Sequence, residues 1–494
     1  MITKLNFEIA PIDETTDVVI DYMKEFFFKN ETIDAFDPEI DAKLSNFIDG
    51  KLKSDLYCII EYPYVDKVYR DSYYSYFSSK HNNYIRDCIR VSIFNSEIKK
   101  EEILKSKSLQ DKYLGFFIVR PLKSAFFGRA LISPTAFIEN NQKLCLYKSS
   151  SVVLGHELTV KGFPHSSQDG ETISCAETTI WGLMDYFGNK YPEYSPTLPS
   201  KIITSLKSLS IQRQLPSNGL TVNQISYALK DFGFGTRIYS SSSYGRNELF
   251  SIIDSYIESG IPIVIGVESE NLGHAFLCVG KSYSENDWSK IEKKIIKINN
   301  KDVSYYDSSD LGDKYVIQDD NLFPYELITL DKPGCNYEEE TEENYGYEID
   351  AIVVPLYPKI YLEVVVAKEL ALTLLKDSTF GFNFGENFVF RMLLASSRSF
   401  KKHILDSDIE DDLKFNILSL KMPKFIWCAE FYTKENYGKE AKGLIILDAT
   451  EANNLSIDAL IFAGYPSKCI SMSGNNFVTL SYNFSKYNYF SNLK

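Results

Sequence analysis

Apolar side chains recur at helical spacing along residues 173–187, where Ile173, Ala176, Ile180, Leu183 and Phe187 fall on one stripe and Gly188 supplies a stop. This predicts a helix with Cys175 in its first turn. A second helix is predicted over 221–232, carried by Val222, Ile225, Leu229 and Phe232 and ended by Gly233. Then come a strand at 236–239, a helix over 246–259 closed by Gly260, and strands at 262–267, 275–279 and 315–318. Helices come first, and an antiparallel sheet follows.

The flanks carry different patterns. Residues 16–30 form an acidic amphipathic stretch, after which aromatic and polar positions alternate; the clearest strand runs over 113–121 and closes at Pro121. A dense acidic run lacking aliphatic residues, 335–344, has the composition of a solvated linker. Beyond it are predicted a strand at 351–355, a helix over 362–375, and strands at 388–394, 425–431 and 444–448. The strand at 351–355 either opens a new domain or finishes the central sheet. The expected organisation is α+β throughout: segments 1–155 and 341–494 as flanking α+β domains, and 156–340 as a central domain of N-terminal helices followed by antiparallel sheet. The last segment is a candidate regulatory or substrate-binding domain.

A length of 494 residues agrees with three domains, and 44% apolar with 14% aromatic residues can fill their cores. Against 53 basic residues stand 67 acidic ones, a formal charge of −14, with no long Lys/Arg run. Nucleic acid is therefore not an expected partner, because displacing phosphate counterions takes a basic face. Residues 1–8 reach Glu8 before any apolar signal region forms, and no window is long and apolar enough to span a bilayer. The expected compartment is the cytosol, with no membrane partner. The eight cysteines are scattered without CxxC pairs, so seven read as small buried hydrophobes and a structural zinc site is not expected. No cofactor or metal is called for.

Three elements carry candidate chemistry. Cys175 opens a helix, where unpaired N–H groups and the dipole favour negative charge on sulfur, and Gln168 lies seven residues upstream, close enough to fold back as an oxyanion donor. His274 follows Gly273 at the start of a buried strand, a rigid place for an imidazole base. Asp319 and Asp320 end the next strand, where a carboxylate can orient that imidazole; Asp319 is preferred because it follows Gln318 directly. Taken singly, each has a structural reading too: packing for Cys175, a turn for His274, turn-forming acids at 319–320. A polar and basic group in the C-terminal segment, Arg391, Ser396, Arg398, Lys401, Lys402 and His403, reads as an anion-recognition cluster or a solvated helix start.

In chain order the three elements give Gln168, Cys175, Gly273-His274-Ala275 with an apolar strand, then Asp319. Residues from about 165 to 330 so resemble papain-fold cysteine peptidases, particularly the branch resembling bacteriocin-processing double-glycine peptidases. The resemblance implies Cys175 as nucleophile, His274 as general base, Asp319 as orienting acid and Gln168 as oxyanion residue. It further implies a protein or peptide substrate cleaved through a thioester. The Gln168-to-Cys175 gap is slightly long for the family, Ala176 replaces a common glycine, and the polar stretch 281–314 lengthens the gap from His274 to Asp319. A catalytically silent peptide-binding relative and a transglutaminase-like acyltransferase are the competing functions.

Overall fold

Strands rich in β-branched and aromatic residues build a five-stranded antiparallel sheet in simple sequence order: Asn6–Pro11, Tyr57–Tyr64, Cys88–Phe94, Tyr113–Val119 and Phe127–Ile132. The structure, a computed structural model, describes residues 4–29, 38–81, 84–123, 125–169, 174–207, 220–269, 273–282, 287–289, 291–337, 346–377, 380–381, 387–452, 457–466, 468–473 and 476–494. Every residue of Cys88–Phe94 is buried. A charge inside that strand therefore needs a partner, and Arg90 meets Glu61 directly opposite on the neighbouring strand at 2.8 Å.

A seven-stranded sheet places Glu326–Ile328, Tyr315–Gln318, Gly273–Ser282, Ile263–Glu268, Glu348–Val354 and Arg237–Ser240 in that order, and Gln142–Leu144 also pairs with the end of Gly273–Ser282. Glu348–Val354 runs antiparallel to Ile263–Glu268, so the strand expected at 351–355 belongs to this sheet and does not open a new domain. The helix Cys175–Lys190 lies on Gly273–Ser282: a Cβ at Gly182 would stand 3.0 Å from Leu277 Cδ1, so glycine sets how closely helix and strand approach. Gly188 does not end this helix, which runs on to Lys190. Its lack of a side chain serves a close approach instead, since a Cβ there would lie 2.2 Å from Pro196 N. The helix Val222–Asp231 starts on the capping box of Thr221 and Gln224 and ends before Gly233, which has φ +98°.

The chain forms two compact units, one of residues 1–232, 264–282 and 315–353, the other of 233–263, 283–314 and 354–494. These cut the chain differently from the three consecutive segments 1–155, 156–340 and 341–494. The polar stretch expected as an insertion supplies two strands of the second unit, Lys294–Ile298 and Lys301–Asp307. They continue an eight-stranded sheet through Phe388–Ser396, Phe425–Tyr432, Gly443–Asp448, Leu460–Tyr465, Lys468–Ser473 and Asn476–Leu480. All pairings are antiparallel except the step from Lys301–Asp307 to Phe388–Ser396.

The second unit also claims the helix Arg246–Glu258. Its last residue, Glu258, is bound by Arg391, which also donates to Glu430 at 2.6 Å and to the Phe490 carbonyl at 2.7 Å. Arg391 is 0% exposed. It is thus not part of an anion-recognition surface, and the remaining cluster resolves into a helix, Ser397–Asp406, capped by the Ser396 hydroxyl. Removing one member of a buried ionic group leaves an uncompensated charge, so Arg391→Ala is expected to destabilise this unit by about 3–5 kcal/mol in urea unfolding. A loss under about 1 kcal/mol would show that Glu258 and Glu430 do not depend on it.

Candidate active site

The site is assembled at the ends of paired elements in the first unit. Ser174 caps the helix through a capping box: its N–H donates to Glu177 Oε2 at 3.2 Å, its hydroxyl binds the same carboxylate, and Cys175 follows as the first helical residue. The Thr179 hydroxyl, one turn on, is 2.6 Å from the Cys175 carbonyl and 3.3 Å from that of Ala275. It ties the start of the helix to the residue after His274. In the facing strands Leu277 pairs with Gln318, so His274 and Asp319 fall at the same end of neighbouring antiparallel strands.

There His274 Nε2 sits 3.0 Å from Asp319 Oδ1 and 3.1 Å from Oδ2, whereas Asp320 Oδ1 is 3.8 Å away. With Nε2 committed to Asp319, Nδ1 is the nitrogen left to serve Cys175, whose side chain is near enough to the imidazole to favour its protonated form. Asp319 is 0% exposed. Its Oδ1 also accepts the Asn321 N–H at 2.9 Å, and its Oδ2 accepts the Tyr337 hydroxyl at 2.5 Å. Burial works to raise the Asp319 carboxyl, but the His274 charge, aided by hydrogen bonds from His274, Tyr337 and Asn321, holds it below the usual carboxylate range. For His274, burial pulls down, yet the charge of Asp319 and the hydrogen bonds to Asp319 and Cys175 hold the imidazole well above its ordinary range. Asp320 goes the other way: burial, then repulsion by Asp319, raises its carboxyl.

No protein-family model and no curated protein matches the chain. The site is therefore read from its own geometry. Three of the four expected residues, Cys175, His274 and Asp319, come together. Gln168 does not turn its amide to sulfur: its NH2 donates to Asn321 Oδ1, and its carbonyl accepts from Arg120. Residues 170–173, between Gln168 and the cap, lie outside the described residues. His165 is buried with Nδ1 2.9 Å from Gln318 Oε1, and burial pulls its imidazole down to about 4, so it remains neutral around pH 7. Beside it, a cavity of about 10 Å³ is lined by His165, Thr178, Trp181, Gln318, Asp319 and Asp320, a space on the scale of one water. A wider depression of about 510 Å³ in the second unit has no carboxylate, histidine or cysteine among its lining residues.

All eight cysteines are free; six are buried, Cys175 is half-buried and Cys335 is exposed. Cys335 corrects the expectation of seven buried thiols, because it lies in the turn at 332–335 and not in an apolar strand. Two residues on, Tyr337 is the member of the site that the sequence hid. It falls in the run read as a solvated linker, yet its ring stands edge-on to His274 at 5.9 Å. The rest of that run, 338–344, lies outside the described residues. Tyr337→Phe keeps the ring and removes a donor to a buried carboxylate. It is expected to slow alkylation of Cys175 about tenfold with the fold retained by circular dichroism. An unchanged rate would make Tyr337 packing alone.

Proposed function

We propose that the chain is a cysteine-dependent acyl-transfer enzyme, a papain-like peptidase that hydrolyses peptide or isopeptide bonds. The observation that carries this reading is one arrangement: a cysteine at a helix N-terminus beside an imidazole whose Nε2 is fixed by a fully buried carboxylate. Each link has a chemical task. The helix terminus stabilises negative charge on sulfur, the imidazole takes and returns a proton, and Asp319 fixes the tautomer and favours imidazolium.

In the proposed reaction Cys175 Sγ attacks the substrate carbonyl as its proton resides on His274 Nδ1. The tetrahedral oxyanion is met by N–H groups of the first helical turn. Collapse breaks the C–N bond, and Nδ1 gives its proton to the leaving amine. Water then adds to the thioester, losing a proton to Nδ1, and the acid is released as sulfur regains its proton. Gln168 joins this oxyanion site only by leaving Asn321, and Asp319 contributes without exchanging a proton itself.

The resemblance of residues 165–330 to papain-fold peptidases supports the same assignment, and a protein or peptide substrate follows from it. The test is the rate of iodoacetamide labelling near neutral pH, read site by site. Cys175 is expected to react faster than exposed Cys335, and His274→Ala and Asp319→Asn are expected to slow Cys175 by about 10²–10⁴-fold while leaving Cys335 unchanged. Equal rates at the two thiols in the wild type would reject an activated nucleophile.

A further inference from the structure

Asp320 is the part of the site that thiol chemistry leaves unused. It is 6% exposed, and neither carboxylate oxygen has a hydrogen-bond partner among the described residues. Carboxylates in such surroundings are normally matched by donors, cations or metal ions. Two ligating groups face it. His274 Nε2 is 3.8 Å from Asp320 Oδ1 and 3.0 Å from Asp319 Oδ1, and one ligand atom from each of the three residues lies within 4.8 Å of the others. A tetrahedral ion with bonds of about 2.0–2.1 Å sets its ligand atoms about 3.3 Å apart, between the two nitrogen–oxygen distances. The set is also rigid. His274 and the two acids sit at the ends of paired strands, and Asp319 is already oriented by Asn321 and Tyr337, as ligating carboxylates are in built metal centres.

We propose that His274 Nε2, Asp319 and Asp320 form a site for a divalent transition-metal ion of the zinc class, with water as fourth ligand, in which the ion replaces the proton shared between His274 and Asp319. One imidazole nitrogen favours zinc or cobalt over magnesium and calcium, which prefer all-oxygen shells of six or more ligands. Two carboxylates balance the charge of the ion. The effect on turnover rests on the acyl-transfer reading, whereas the metal site does not. An imidazole bound through Nε2 carries its one proton on Nδ1, and passing that proton to a leaving amine would leave an imidazolate. Acyl transfer therefore stalls while the sulfur stays open to alkylation.

The test uses the full chain with Cys335→Ser, which removes the exposed thiol. Zn²⁺ is titrated calorimetrically and Co²⁺ by absorbance, with Cys175→Ala, Asp320→Asn and Asp320→Glu alongside. One ion per chain is expected, with cobalt d–d bands, no sulfur-to-cobalt charge transfer, and no competition from Mg²⁺. Cys175→Ala should bind within about threefold of wild type; Asp320→Asn should bind about 100-fold more weakly, with Asp320→Glu recovering part of the loss. Binding that disappears with Cys175 would put the ion on the thiolate, and equal binding by folded Asp320→Asn would remove the acid from the site. Either result overturns the proposal, as does the absence of binding. If the ion binds as described but Cys175 shows no enhanced alkylation, the acyl-transfer reading fails and the metal site stands.

Discussion

A carboxylate with no exposed surface stays ionised only where charge and donors surround it, and Asp319 is such a group. The His274 imidazole, the Tyr337 hydroxyl and the Asn321 N–H supply what water would otherwise give. Much of the local structure follows from that requirement. The strand Tyr315–Gln318 must stop where its next residue can meet the start of Gly273–Ser282, and the chain after it must return so that Tyr337 closes the cluster. The carboxyl of Asp320, next in sequence, is then pushed up by its own burial and, after that, by the like charge of Asp319.

The same constraint joins the acid to the sulfur. An imidazole pinned through Nε2 presents Nδ1 in a fixed direction, and the helix that carries Cys175 is fixed by Ser174, Glu177 and Thr179. Gly182 sets the distance between helix and strand from the middle of the contact. The placement of the sulfur thus depends on residues with no acid–base role, and in the proposed reaction a small misplacement would be costly in rate.

What could be read in the sequence was local. The stripe through Ala176, Ile180, Leu183 and Phe187 located the Cys175 helix, Gly273-His274 marked a strand start, and two acids after Gln318 marked a strand end. What stayed hidden was long-range. Glu258 closes a helix next to the candidate site in sequence, but its partner is Arg391, 133 residues later, and that pairing assigns the helix to the second unit. The stretch after residue 282 looked like a polar insertion because its strand Lys294–Ile298 buries only Ile296 and Ile298. Tyr337 was masked by its neighbours' composition: acidic residues on one side give no sign that an aromatic hydroxyl turns inward. Ser174 and Glu177 did carry a legible capping-box spacing.

Peptide-bond cleavage by Cys175 is the central claim, and the most direct measurement of it is proteome-wide labelling of new protein N-termini after incubation with the full chain, comparing wild type with Cys175→Ala. The change removes one sulfur atom and little volume, so the fold is kept. The account predicts a set of new N-termini that share a sequence preference, appear with wild type and vanish with the variant. Identical N-termini from the two proteins would contradict it.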